Sequence, residues 1–146
     1  MTPDRSDLTL SEVDRREFIG WTADCVRRLL PIFESAAPDD RRLLDALKGA
    51  AAFARGEMGI GPVRKLAFDC HAAAREIDDS AASAVARACG QAVAVAHMAG
   101  HSREVARYTK KALGADSASE LGWQRAHIPA RFETYVYDDG RITTAR

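Results

Sequence analysis

The chain has 146 residues, 47% of them hydrophobic, with 21 basic and 21 acidic side chains and no formal net charge at pH 7. That length suits one ordinary domain, able to bury a core without a disulfide or a structural metal. The even charge argues against a general nucleic-acid or acidic-lipid binder, and the composition fits neither disorder nor fibre chemistry.

Residues 1–9 are polar and acidic, which predicts a loose lead-in and no secretory signal. Ser11 with Asp14 three residues on resembles a capping box, and Phe18, Thr22, Cys25, Val26, Leu29, Ile32 and Phe33 follow at helical spacing. Pro31 is expected to kink that helix. A second helix is predicted from Pro38-Asp39-Asp40 to about Gly56, with Leu43, Leu44, Leu47, Ala50, Ala51 and Ala54 on its apolar face. Gly59-Ile60-Gly61-Pro62 is the clearest turn. A third helix carries Val63, Leu66, Ala67, Cys70, Ala74 and Ile77, and Asp78-Asp79-Ser80 ends it and caps the next.

The fourth helix, roughly 80–99, is small and nearly apolar on every side, with rows of alanine four apart and Arg87 as its one charge. Such a helix is normally surrounded by others, which makes it the predicted central element. A fifth runs from His101 to about Leu113 and stops at Gly114; Ser117 and Glu120 cap a sixth through about Ala126. Phe132, Tyr135, Val136, Tyr137 and Ile142 around Asp138-Asp139-Gly140 read as a β-hairpin. The expected architecture is therefore all-α: a bundle of about five to six helices over residues 1–130 around an Ala-rich centre, with a hairpin-like tail at 131–146 packed on it.

Cys25, Cys70 and Cys89 lie in apolar stretches with no Cys-x-x-Cys pair, which suits reduced core thiols of a cytoplasmic protein; a disulfide in one pair is the alternative. The stretch 81–100 is a poor membrane span. His97 and His101, four apart, are weak candidates for a metal pair, but they lack the intervening glutamate of the helical zinc motif and Gly100 interrupts them. His71, on the shoulder of the third helix with Arg75 four residues on, either performs acid–base work at a groove edge or bridges helices. Asp24 and Glu34 read as salt-bridge partners. No set forms a complete catalytic constellation, and neither cofactor nor metal is expected.

Several segments taken in order carry a resemblance. They are Trp21-Thr22-Ala23-Asp24-Cys25, Leu30-Pro31-Ile32-Phe33-Glu34, Pro38-Asp39-Asp40-Arg41-Arg42, Phe53-Ala54-Arg55-Gly56-Glu57, His71-Ala72-Ala73-Ala74-Arg75-Glu76, Ala86 to Ala92, and His97-Met98-Ala99-Gly100-His101. Over residues 10–127 the chain resembles the small helical "putative immunity protein" family of bacterial polymorphic toxin systems, with Phe53 where tryptophan is expected. The resemblance implies an all-helical cytoplasmic protein that binds and neutralises a cognate protein toxin, with exposed acids and the tail aromatics as the first-choice contacts. The alternative is a small helical enzyme or ligand binder whose interhelical pocket gathers His71, Arg75, His97, His101, Glu34 and Asp24. A third reading is a homodimer formed through Tyr135–Tyr137 as an edge strand. Neither nucleic acid nor membrane is an expected partner.

Overall fold

The structure, a computed structural model, describes residues 2–138, and among these no strand forms. The first helix, α1 (Glu12–Arg27), starts as expected: the Ser11 side chain accepts the Asp14 N–H at 3.1 Å. The reciprocal half of the box does not form, because the Asp14 carboxylate pairs with Arg131. Pro31 does more than kink the chain. Lacking an N–H for the preceding turn, it sits in the first turn of a separate helix, α2 (Leu30–Ala36). The next helix, α3 (Arg42–Ala54), begins at Arg42 rather than Pro38. There the Asp40 carboxylate takes the Arg42 N–H at 3.0 Å and its guanidinium at 2.7 Å, so this acid precedes the helix instead of filling its first turn.

Helix α4 (Ile60–Glu76) ends where predicted, and Asp79 caps α5 (Ser80–Ala94) by accepting the Ala82 N–H at 2.9 Å. The predicted fifth helix opens as a 3-10 turn, Ala99–Glu104, before α6 (Val105–Leu113), which closes at Gly114 with φ +59°. In α7 (Ser117–His127) the expected Ser117–Glu120 cap is absent: Glu120 pairs with Arg28 at 2.6 Å, drawn off by a guanidinium with no other carboxylate. A 3-10 turn at Ala130–Phe132 leads into α8 (Glu133–Val136).

The predicted hairpin is corrected here. Its first limb is helical because Phe132 and Tyr135, three residues apart, both bury completely on one face. Phe132 stacks on Phe18 with centroids 4.4 Å apart, and Tyr135 meets the same ring edge-on at 5.9 Å. The predicted turn beyond Asp138 and the return limb lie outside the described residues. The lead-in is likewise tied down rather than loose: Arg5 donates to the carbonyls of Thr134 and Tyr135, and the Tyr135 hydroxyl donates to the Asp7 carbonyl at 2.7 Å.

Helix α5 is central. It packs against α1, α2, α3, α4 and α6, and ten of its fifteen residues are buried, all of them small or branched at Cβ. Buried Arg15 ties α1 to its end, donating to the Ala96 carbonyl at 2.9 Å and the Leu10 carbonyl at 2.7 Å. Carbonyls just past a helix C-terminus carry partial negative charge, so this cation is satisfied without a carboxylate. The three cysteines are buried thiols, with Cys70 and Cys89 Sγ 3.5 Å apart where α4 meets α5.

Phe18 touches Trp21, Phe132 and Tyr135. Replacing it with alanine is expected to cost about 3–5 kcal/mol, the range for deleting a buried aromatic ring. Urea unfolding checks this; a loss under about 1 kcal/mol would mean that the C-terminal segment does not pack on α1.

Candidate functional site

On α4, Arg64, Phe68, His71 and Arg75 recur at spacings of four, three and four. At about 100° per residue they fall within roughly 60° of one another, a single stripe beside the buried face. On α5 the half-buried positions Ser83, Arg87 and Gln91 recur every four residues. With α4 packed on α5, these two stripes border the seam between the helices, bridged where His71 meets Arg87, and this seam is the α4–α5 groove. At one end Arg87 also lines a cavity of about 470 Å³ on the α6 side of α5, together with Ser80, Ser83, Ala84, Tyr108 and Lys111. The other end holds three histidines.

His71 reaches this groove because of a missing side chain. A Cβ at Gly90 would stand 2.5 Å from His71 Nε2, so only glycine lets the ring lie on α5. The Nδ1 atom of that ring is 2.9 Å from Arg87 Nη1. Since a guanidinium only donates, His71 must accept there, which fixes the neutral Nε2–H tautomer. Burial, then the Arg87 and Arg75 charges, hold its pKa below the ordinary histidine value. His101 Nδ1 lies 2.8 Å from Gln91 Oε1, and burial lowers its pKa against a small opposing effect of Glu104. His97 meets His101 edge-on with centroids 5.2 Å apart, and its Nδ1 has no hydrogen-bond partner among the described residues. Burial lowers its pKa most, followed by His101, Arg64 and Arg15.

Of the candidates expected from the sequence, His71, His97 and His101 come together, with Arg75 at their edge. Asp24 and Glu34 do not join them: both are exposed, and Asp24 is held by Arg27 at 2.9 Å. No carboxylate pairs with any of the three histidines among the described residues. No group of three or more metal-ligating side chains with a workable geometry is found there either. The tail aromatics expected to be exposed contacts are not: Phe132 and Tyr135 are buried and Tyr137 is half-buried against Trp21.

Four residues bordering the groove were not singled out in the sequence. Phe68 is 57% exposed with Arg64 stacked over its ring at 5.3 Å, and Met98, next to His97, is 37% exposed. Leu8, resting on Gly100, is the third exposed apolar side chain at this end. The fourth is Arg64 itself. Every described arginine except Arg64, Arg75 and Arg87 meets a carboxylate or a backbone carbonyl. The three without one all lie on this groove. The signal is in the sequence: residues 80–103 contain no acid, and no acid stands three or four residues from Arg64 or Arg87. A second cleft, of about 520 Å³ between the lead-in and α1, differs in kind, since Asp14 and Arg131 already pair across it.

A family model described as "Imm-5 like putative immunity protein" matches residues 8–131. No curated protein matches the chain, and no solved structure does. No helix of the described residues is long and apolar enough to cross a membrane.

Two outcomes are expected from this geometry. The three histidines have folded-state pKa values below the unfolded value of 6.5, so the unfolded chain binds more protons between the two. Their contribution is therefore complete above about pH 6.5 and is lost as pH falls through the window below it. Scanning calorimetry should show the melting temperature dropping by several degrees from pH 7 to 5.5, with the drop reduced in His71→Gln/His101→Gln. The Asp40 and Glu76 carboxyls, held low by Arg42, act at lower pH. In Gly90→Ala, a helix-propensity gain of about 1 kcal/mol should offset displacement of the His71 ring. Stability then stays within about 1 kcal/mol while the His71 pKa rises towards 6.5 by NMR titration; an unmoved pKa would contradict the notch.

Proposed function

As the chain belongs to the Imm-5 like putative immunity protein family, we propose that it neutralises a cognate toxin of a bacterial polymorphic toxin system by binding it directly. An occluding protein needs a rigid surface that presents side chains to a partner, and no bond-making machinery of its own. The observation that supports this reading is the α4–α5 groove, where exposed Phe68 and Met98 stand beside three arginines that pair with no carboxylate among the described residues. Exposed apolar side chains flanked by arginine match the composition of protein-binding hot spots. The histidines fit a recognition surface better than an acid–base centre, since no carboxylate orients them.

The test is direct. The tagged chain is used to capture its partner from native cells, and the partner is then expressed alone and together with the chain. Growth arrest by the partner, relieved when the chain is present and absent from a catalytically dead partner, is the expected outcome. A stoichiometric partner that is harmless alone, or whose toxicity persists despite complex formation, would contradict the reading.

A further inference from the structure

We propose that the α4–α5 groove is a docking surface for an acidic, leucine- or phenylalanine-bearing segment of the partner, whose carboxylates pair with Arg64, Arg75 and Arg87 while its apolar side chain covers Phe68 and Met98. This rests on the immunity reading for the identity of the partner, but its chemistry is argued from the groove alone.

Elsewhere among the described residues each arginine meets a carboxylate or, as with Arg15 and Arg103, backbone carbonyls. Arg131 bridges Asp14 and Glu17 across the fold, Arg42 bridges Asp40 and Glu76, and Arg28 takes Glu120 from α7. Against that pattern, three guanidiniums grouped on one face without a carboxylate leave a local excess of positive charge on a chain that is neutral overall. Lys111, which lines the cavity beside Arg87, adds to it, lying over the Tyr108 ring at 5.5 Å without an acidic partner. Negative charge near this face comes from Glu104, acting on His101, from Asp69, taken by Lys65 on α4, and from Glu76, which pairs with Arg42 and feels the Arg75 charge without a hydrogen bond to it.

Two of these arginines also sit at a useful separation. Arg64 and Arg75 are eleven residues apart on one helix, which is about 16 Å at 1.5 Å per residue. A partner would span that distance with about five residues of extended chain or three turns of helix. Phe68 falls between the two arginines, so the pattern along α4 is cation, ring, histidine, cation. The complement is a segment with acids at its ends and an apolar residue between them. Guanidiniums recognise carboxylates bidentately and stack on rings, which makes them suited to a contact that is both charged and apolar.

A nucleic-acid strand would also meet cations and a ring here. The groove favours a protein because its cations are separated by exposed Phe68 and Met98 rather than continued into a basic track, and the chain has no net positive charge to gather phosphates.

The experiment uses the full chain and three labelled probes: a nonapeptide of alternating glutamate and leucine, the same peptide with glutamine in place of glutamate, and a thymidine nonamer. Binding is read by fluorescence anisotropy at about 50 mM salt, where surface charge is weakly screened, and its location by backbone amide shifts. The expected result is binding of the glutamate peptide with shifts confined to residues 64–75, 83–91 and 97–101. Affinity should be at least tenfold weaker for the glutamine peptide and for Arg64→Glu/Arg75→Glu, and unchanged for Arg55→Glu, a position whose guanidinium pairs with Glu57. Both groove arginines are exposed, so the variant should melt at the wild-type temperature, and Arg64→Gln/Arg75→Gln provides an intermediate loss. Absence of binding, shifts elsewhere, equal binding by the glutamate variant, or preference for the thymidine strand would each overturn the proposal. Failure of the immunity reading shows separately, as toxicity that the unmodified chain does not relieve.

Discussion

Everything else in this molecule depends on how closely its helices approach α5. Its buried residues are alanine, valine, cysteine and glycine, which present little side-chain relief, so five neighbours can lie against it and bury ten of its fifteen residues. The consequence is double. Residues on the neighbours that face α5 are packed to full burial, and residues on their shoulders are brought within hydrogen-bond reach of the few polar groups α5 does carry. His71 is the clearest instance: the space left by Gly90 draws its ring onto the central helix, and Arg87 then fixes its tautomer. A larger residue at position 90 would turn the same histidine outward.

Satisfied charge organises the remainder. Arg15 spends its guanidinium on the Ala96 carbonyl just past α5 and the Leu10 carbonyl before α1, and Arg5 and Arg103 donate to carbonyls of the C-terminal segment and the lead-in, so the two chain ends are stitched together by cation-to-carbonyl contacts. Arg16, Arg28 and Arg131 combine an acid with a ring beneath the guanidinium. This economy is what makes the α4–α5 face conspicuous. Arg64 and Arg87 have no acid three or four residues away, and the Glu76 carboxylate beside Arg75 is taken by Arg42, so all three lie unpaired among the described residues near apolar side chains that the fold leaves in solvent.

The helical part of this architecture was legible because its signals are local. Alanine rows marked α5, Asp79 marked its start, and Gly114 marked the end of α6. The failures came where a distant group overrode a local rule. Glu120 looked like a capping residue until Arg28, ninety-two positions away, claimed it. Phe132 and Tyr135 looked like strand residues because aromatics with a following Asp-Asp-Gly suggest a hairpin, yet the Phe18 ring rewards a spacing of three over a spacing of two. The site was half legible for the same reason. Histidines attract notice by type, and three of them do assemble, but Asp24 and Glu34 were grouped with them by chemistry and not by position. The more telling property, arginines left without acids, has only a faint local signal, the acid-free run 80–103, and stands out once the other described arginines are seen to have partners.

In the proposed function, a scaffold built on α5 presents the α4–α5 groove to a toxin. Hydrogen–deuterium exchange of the chain, alone and in complex with its captured toxin, tests this most directly. Added protection over residues 60–76 and 83–104, with α3 and α7 unchanged, is the result the account predicts. Protection centred on α3 or α7, with exchange along α4 unaltered by the complex, would contradict it.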